Sequence, residues 1–492
     1  MLWDAFQQLL DFWVLTVAII GIVSGIVIGA IPGLGPTMAI ALLIPVTFTM
    51  QPIPAMILLL GIYQGAIFGG SISAVLLNVP GTPSSAATAI DGYPLARQGQ
   101  GGRALRVALY ASVFGNVFSC IVLMLLAEPL ARIALDFGPA EVSVLMLFAM
   151  LIIVLFGGGS TLNALMMMLA GIALAIVGMD PIEGTPRFTF GFFAMESGFS
   201  LIPVLIGLFA MSEVLQQAYR RHTTSVDMKP QVVQPSHVHF YELWRMRLTL
   251  IYSSIIGTFV GILPGIGSTV PAFVSYNLAR ARSKRPEAFG QGEIEGVAAP
   301  EAANNAVTGG ALVPTLALGI PGDAVTAVIL GAFMLQGLAP GPFLFRDHGV
   351  EVYAIFEALL LSAIPTVIFG LLLFRVAVKV IRIQPKHLFP VIVILSIVGS
   401  YAVNNNLFDV WVMLAFGVLG FLLRQSHFPL PPLLIGLILG SPFEQSLRQA
   451  LLTSGGQFDV FLHSTICVLF VSLIALSLCI RLLVSFKQSK GK

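Results

Sequence analysis

The first 96 residues hold no lysine and no arginine; Arg97 is the first basic side chain. A secretory signal opens on a basic segment, so none is expected here, and MLWDAFQQLLDFW reads as a short interfacial helix with aromatic anchors. Charge is scarce throughout: 10% of the 492 residues are charged and 57% are hydrophobic, with mean hydropathy +0.95. A soluble domain carries about 25% charged residues, so this chain cannot cover a water-facing surface and is expected to be an integral membrane protein. A formal net charge of +2 argues against nucleic acid as a partner. Cysteine is nearly absent. Cys120, Cys467 and Cys479 stand in apolar stretches, too few and too far apart for a disulfide framework or a zinc site.

Catalytic signatures are missing as well. There is no HExxH, no phosphate-cradling GxxxxGK[ST] and no GxSxG. The glycine-rich GQGGR at 99–103 has no preceding strand and reads as a flexible cytoplasmic turn. His237 and His239 read as solvated loop residues. Neither an enzyme nor an ATPase is expected, and no cofactor.

Glycine (49) and proline (30), by contrast, are plentiful, and they recur in register. Residues 29–37 read GAIPGLGPT and residues 261–269 read GILPGIGST, 232 positions on. Each is followed by a second interruption, NVPGTPSS at 78–85 and GIPGDAVT at 319–326. Proline and glycine at such positions break a helix where lipid demands one. Matched breaks in two halves are the best sequence pointer to the binding site of a secondary transporter. A third matched pair, GMDPIEGTPR at 178–187 and GSPFEQSLR at 440–448, extends the expected repeat over both halves.

Basic residues mark cytoplasmic loops. They cluster at Arg97–Arg106, Arg220–Arg247, Arg280–Arg285, Arg375–Lys386 and the C-terminal lysines. The second motif lies between two basic loops, so residues 248–279 read as a re-entrant hairpin opened toward the cytoplasm. The first, about 12–49, has no basic residue at either end and should enter from the opposite side. The expected fold is an all-α integral membrane protein of two inverted repeats, 1–219 and 248–492, joined by a cytoplasmic linker 220–247. Each repeat has a re-entrant hairpin, a broken helix and further spans, about ten full crossings plus two hairpins in all. The span at 430–440 is short for a crossing. Twelve ordinary helices without hairpins are the plain alternative. The C-terminus is expected in the cytoplasm and the N-terminus in the periplasm.

The tips, with Pro32, Gly33, Gly35 and Thr37 in one half and Pro264, Gly265, Gly267, Ser268 and Thr269 in the other, cannot be helical. Past each a new helix starts, with Thr37 or Ser268 and Thr269 as cap candidates, and helix N-termini favour anions. A tight glycine-packed turn is the bland reading. In the second breaks, Asn78, Gly81, Thr82, Ser84 and Ser85 offer carbonyl, amide and hydroxyl oxygens suited to sodium, and another helix N-terminus. Gly322, Asp323 and Thr326 do the same in the other half, and Asp323 is either a ligand or a helix cap. Asn304 and Thr308, at i and i+4, share a helix face and are candidate cation ligands. Glu301 reads as a solvated residue at the cytoplasmic end. No lysine or arginine lies in any break. An anionic substrate would therefore need N–H groups, hydroxyls and a co-bound cation.

The stretches GAIPGLGPTMAIALLIP (29–45), YQGAIFGGSISAVLLNVPGTPSSAATAIDGYPLARQG (63–99) and APEAANNAVTGGALVPTLALGIPGDAVTAVILGAF (299–333) resemble the TctA family, the large membrane subunit of tripartite tricarboxylate transporters. The resemblance covers essentially the whole chain. It implies a bacterial inner-membrane importer of carboxylates, driven by an ion gradient, typically sodium. A small four-helix membrane subunit and a periplasmic binding protein complete it, and an elevator-like mechanism is implied. A passive channel is the competing class. An intramembrane enzyme would need an acid–base or metal cluster that Asp323 alone does not supply.

Overall fold

The structure is a computed structural model and describes residues 2–157, 160–220, 238–374, 377–381 and 388–490. Residues 221–237 of the expected linker, part of the basic cluster Arg375–Lys386, His222, His237, His387 and Lys492 lie outside the described residues.

The chain is a multi-pass helical membrane protein. Among the described residues, seven helices are long and apolar enough to cross a membrane, and six further apolar helices of 10–17 residues are shorter. Length and composition thus support seven crossings, against about ten expected. The helices that position the site are α1 (Phe12–Ala30), α2 (Pro36–Leu43), α3 (Pro52–Leu77), α4 (Ser85–Leu95), α5 (Gly101–Ala134) and α6 (Thr161–Ala175) in the first half. In the second half they are α7 (Arg247–Ile262), α8 (Thr269–Arg282), α9 (Glu295–Leu318), α10 (Ala324–Leu335), α11 (Leu407–Gln425) and α12 (Leu430–Thr453). Both repeated motifs fall between helices, α1 to α2 and α7 to α8. The second interruptions separate α3 from α4 and α9 from α10.

Small residues set the packing. Gly21, Gly25 and Gly29 of α1 lie directly against the backbone at Leu58, Ile62 and Ala66 of α3. Gly257 and Gly261 of α7 lie against Ala303 and Val307 of α9 in the same way. In a bilayer, where apolar contact alone gives no preference for protein over lipid, such close backbone approach is what holds helices together. Both pairs run parallel, as expected when a short arm returns between them. The whole apolar window of α3 is buried in protein, which makes it a central helix.

Two contacts fix how the halves face each other. Tyr63 of α3 meets Asp323 just past the end of α9, and Ser71 of α3 meets Glu301 near its start. As α3 advances α9 recedes, so the two broken helices are antiparallel.

The third matched pair behaves differently. Residues 178–187 form a loop closed by two antiparallel two-residue strands, with Gly178 opposite Arg187, whereas 440–448 lies inside α12. Gly440-Ser441-Pro442 reads as a stop in sequence, yet the helix runs on to Thr453, so the short 430–440 span is part of a 24-residue helix. Gly436 and Gly440 pack against Met168, Gly171, Ile172 and Ala175 of α6, and that contact supports the segment through Pro442. As residue number rises along α6 it rises along α12, so these helices are parallel. An inverting two-fold would reverse one against the other, so the α6–α12 match is not part of an inverted relationship. The loop after α6 and the last turns of α12 clamp each other: Arg187 pairs with Glu444 at 2.7 Å and Arg448 with Glu183 at 2.8 Å, while Asp180 accepts from Arg448 at 2.8 Å.

Candidate substrate and ion sites

The two second breaks have the same local geometry 241 positions apart. α3 ends on Asn78 in the left-handed region (φ 56°), and α9 ends on Gly319 (φ 70°). After Pro-Gly, the hydroxyl of Ser85 accepts from Thr82 N–H (3.3 Å) and donates to Thr82 C=O (2.8 Å). Thr326 does the same to Asp323, at 2.9 and 3.1 Å. The hydroxyl three residues after the break closes the turn in both halves. They differ at the residue it closes on, Thr82 in one and Asp323 in the other.

Asp323 caps α10. Its Oδ1 accepts from Thr326 N–H at 2.7 Å and its Oδ2 from the Tyr63 hydroxyl at 2.8 Å. Of the two roles left open for this residue, the cap is the one the geometry displays. The other three restarting helices have no side-chain cap. α2 starts at Pro36 with Gly35 at its N-cap, so Thr37 is inside the helix and is not the cap. Ser268 is the N-cap of α8 and Ser84 that of α4, each without a capping side-chain bond, and Thr269 is the first residue of α8. The first-turn N–H groups of α2 and α8 therefore lack the acceptor that Asp323 supplies to α10, whereas in α4 those of Ser85, Ala86 and Ala87 bond to the carbonyls of Thr82, Pro83 and Ser84.

In the second half the tip meets the break through backbone, and in the first half the last turn of α1 makes the contact. Gly265, with φ 79°, donates its N–H to the Gly322 carbonyl at 2.6 Å. In the first half Gly81 packs on the Gly29 carbonyl so closely that no Cβ would fit, and its N–H donates to Gly70 at 3.2 Å. Gly33 accepts from Gln217 at 3.3 Å. Thr82, Ser84 and Ser85 are buried, whereas Asn78 and Gly33 are exposed and Pro32, Gly35, Thr37, Gly267, Ser268 and Thr269 half-buried. The two breaks approach α3 seven residues apart, at Tyr63 and Gly70, about 10 Å of helix rise.

Asn304 and Thr308 share a face of α9 as expected, and they face a buried polar cluster beside the first break. At its centre is Glu301, which is 0% exposed; the expectation of a solvated end residue is wrong. Its carboxyl accepts from Ser71 Oγ (2.6 Å), Thr88 Oγ1, Ser112 Oγ (2.9 Å) and the amides of Asn304 and Asn305 (3.4 Å each). Thr308 donates to Asn116 Oδ1 at 2.7 Å. Sequence reasoning missed Ser71, Thr88, Ser112 and Asn116. The available signal was the i, i+3, i+4, i+7 stripe of Glu301, Asn304, Asn305 and Thr308 in an alanine-rich helix with no basic residue a turn away.

A second buried carboxylate, Asp91 on α4, accepts from the N–H groups of Gly290, Gly292 and Glu293 at 2.8 Å each and from the Tyr276 hydroxyl at 2.9 Å. It ties α4 to α8 and to the loop that leads into α9. Among the described residues, no three His, Cys, Asp or Glu side chains group as a metal site.

Paired broken helices with carboxylates buried at membrane depth define a multi-pass membrane protein of the transporter kind. The chain matches the tripartite tricarboxylate transporter TctA family over residues 15–435, and it belongs to that family. The family is a transporter component rather than an enzyme, and it works with a small membrane subunit and a periplasmic binding protein. An uncharacterized Agrobacterium vitis protein of the TAR-I ttuC' 3' region is 38% identical over 473 residues, 96% of this chain and 94% of its own length. A second, from the TAR-II ttuC' 3' region of the same organism, is 38% identical over 236 residues, 48% of this chain and 98% of its own length. No solved structure matches the chain.

Proposed function

We propose that this chain is the membrane carrier subunit that imports a tricarboxylate or related carboxylate across the bacterial inner membrane, driven by a cation gradient, with sodium as the coupling ion. The single observation that carries this reading is the pair of matched breaks, each closed by the same hydroxyl turn, on antiparallel helices. That is what two inverted units around one substrate site require. The inverted part is residues 12–95 and 247–335, and the parallel α6–α12 pair marks where it stops.

The substrate carboxylates lie at the uncapped N-termini of α2 and α8, where N–H groups and the positive helix ends favour an anion. The N-terminus of α10 already holds the carboxylate of Asp323. Each break supplies its own oxygen ligands for sodium, the carbonyls around Asn78, Gly81 and Thr82 in the first half and Asp323 in the second. The tips and broken helices move together as an elevator-like unit, and the helices outside it hold the small subunit. The N-terminus faces the periplasm and the C-terminus the cytoplasm.

Site-specific labelling tests this placement. Thr37→Cys and Ser268→Cys, in a Cys479→Ser background, are exposed to a membrane-impermeant thiol reagent from each side. Citrate or another carried carboxylate should slow labelling at both positions, and sodium should strengthen that protection. Labelling indifferent to substrate at both positions would contradict the placement.

A further inference from the structure

We propose that Glu301 is a proton-binding site of the transport cycle, taking up one proton on one side of the membrane and releasing it on the other as the carrier turns over. The proposal rests on the carrier reading above and adds a second ion to it.

Glu301 is enclosed by helices from both halves: Ser71 from α3, Thr88 from α4, Ser112 from α5, and its own neighbours Asn304 and Asn305 on α9. Every one of these partners is neutral. Among the described residues no lysine, arginine or histidine bonds to it. Of the charged and titratable groups on the packed helices, the following are engaged elsewhere. Tyr63 of α3 is bonded to Asp323, Asp91 of α4 is held by Tyr276 and three loop N–H groups, and Arg103 of α5 is paired with Glu242. On α7 and α8, Tyr252 stacks with Arg282, and Arg280 donates to the Pro286 carbonyl. Glu295, two turns earlier on α9, faces Thr249. An ionised carboxylate removed from water with no counter-charge costs several kcal/mol, and a bound cation or a proton is what removes that cost.

The geometry favours the proton. Ser71 and Ser112 stand at direct hydrogen-bond distance from the carboxyl oxygens, 2.6 and 2.9 Å. Adjacent oxygens around one metal ion stand further apart than this, and either serine hydroxyl, which can accept as well as donate, can take the hydrogen bond of a protonated carboxyl. The two asparagines turn amide N–H groups toward the carboxyl, which would oppose a metal cation. Asp323 differs: a helix N-terminus answers its charge.

The same arrangement couples the proton to movement. Ser71 and Thr88 flank the first break, and the helix that carries Glu301 ends in the second. A shift of either unit changes how many donors reach the carboxyl and so how firmly it holds a proton. One O–H bond forms on Glu301 when a proton arrives from water on one side, and that bond breaks when the proton leaves to water on the other. The residue is regenerated and no electron is transferred.

The test uses this chain with its small subunit and loaded binding protein in proteoliposomes enclosing a pH-sensitive dye, with sodium equal on both sides. Wild type should accumulate citrate on an inward proton gradient while its lumen acidifies. Glu301→Gln should retain citrate counterflow but lose both effects at least tenfold, and Glu301→Asp should restore them with a shifted pH profile. Glu301→Gln that accumulates citrate and acidifies the lumen like wild type overturns the proposal. Wild type that accumulates citrate only when an inward sodium gradient is added, with no proton entry, sinks this proposal and leaves the carrier standing. Wild type that only equilibrates citrate under the proton gradient and under an added sodium gradient alike sinks the carrier reading itself. Should Glu301→Gln fail to fold, infrared difference spectra of wild type and Ser112→Ala across pH decide. A protonated-carboxyl band that shifts in Ser112→Ala supports the site, and an unshifted or absent band overturns it.

Discussion

The hydroxyl of Tyr63 donates to Asp323 at 2.8 Å, joining the middle of α3 to the residue that restarts the helix after the second break. This bond links an element of the first half to the break of the second, 260 residues away. Removing the hydroxyl leaves a buried carboxylate with one donor fewer, and bonds to charged groups contribute about 1.5–3 kcal/mol. Tyr63→Phe is therefore expected to lower stability by roughly that amount while leaving the Thr326 cap of α10 in place. Thermal unfolding in detergent with and without sodium checks it, and an unchanged midpoint would mean that the bond contributes nothing.

Asp91 satisfies three backbone N–H groups and the Tyr276 hydroxyl at once. No other side chain is bonded to those N–H groups among the described residues, so Asp91→Ala strands donors at a cost of about 1–3 kcal/mol each. Loss of at least ~2 kcal/mol is expected, together with faster hydrogen exchange at residues 290–293. Asp91→Asn, which keeps a carbonyl acceptor, should be milder.

The clamp between the loop after α6 and the last turns of α12 has a pH signature. Asp180 is held down to about 2, first by the hydrogen bond from Arg448, then by the Ile182 N–H. A carboxylate whose folded-state value lies below its unfolded value of about 3.9 adds stability that is present above that value and lost as pH falls through the folded one. The difference in stability between wild type and Asp180→Asn should therefore be constant from neutral pH to about 4 and shrink toward pH 2. A difference that persists unchanged at pH 2 would contradict the pairing.

Gly171 and Gly436 sit at the closest approach of α6 and α12, each against the other's backbone. A leucine at either position cannot be accommodated by rotamer change, because the obstructing atoms are backbone. Gly171→Leu or Gly436→Leu should destabilise by about 1–3 kcal/mol or more, whereas leucine at the exposed neighbour Met166 should be neutral. Denaturation of the three variants in parallel separates these outcomes.

Much of the fold was legible in the sequence because proline and glycine cannot hide inside a lipid-facing helix. The tips at 31–35 and 263–268 and the breaks at 78–84 and 319–323 interrupt helices where the motifs said they would. Basic clusters implied the opposite directions of α3 and α9. The continuation of α12 through Pro442 was not legible, since the packing that outweighs a local stop belongs to α6, 260 residues earlier. The Glu301 cluster was hidden for a related reason. A lone Glu near a basic loop looks solvated until Ser71, Thr88 and Ser112, each unremarkable in its own apolar run, converge on it from three other helices. The capping role of Asp323 could be named in advance but not chosen, because Tyr63 and Thr326 decide it together.

Uptake of labelled citrate and a panel of dicarboxylates into proteoliposomes tests the central claim most directly. The vesicles hold this chain and its small subunit, with or without loaded binding protein and with or without an inward sodium gradient. With pH equal on both sides, the account predicts accumulation above equilibrium only when binding protein and sodium gradient are both present. Uptake that merely equilibrates, indifferent to both, would contradict a coupled carrier and make the breaks the lining of a passive channel.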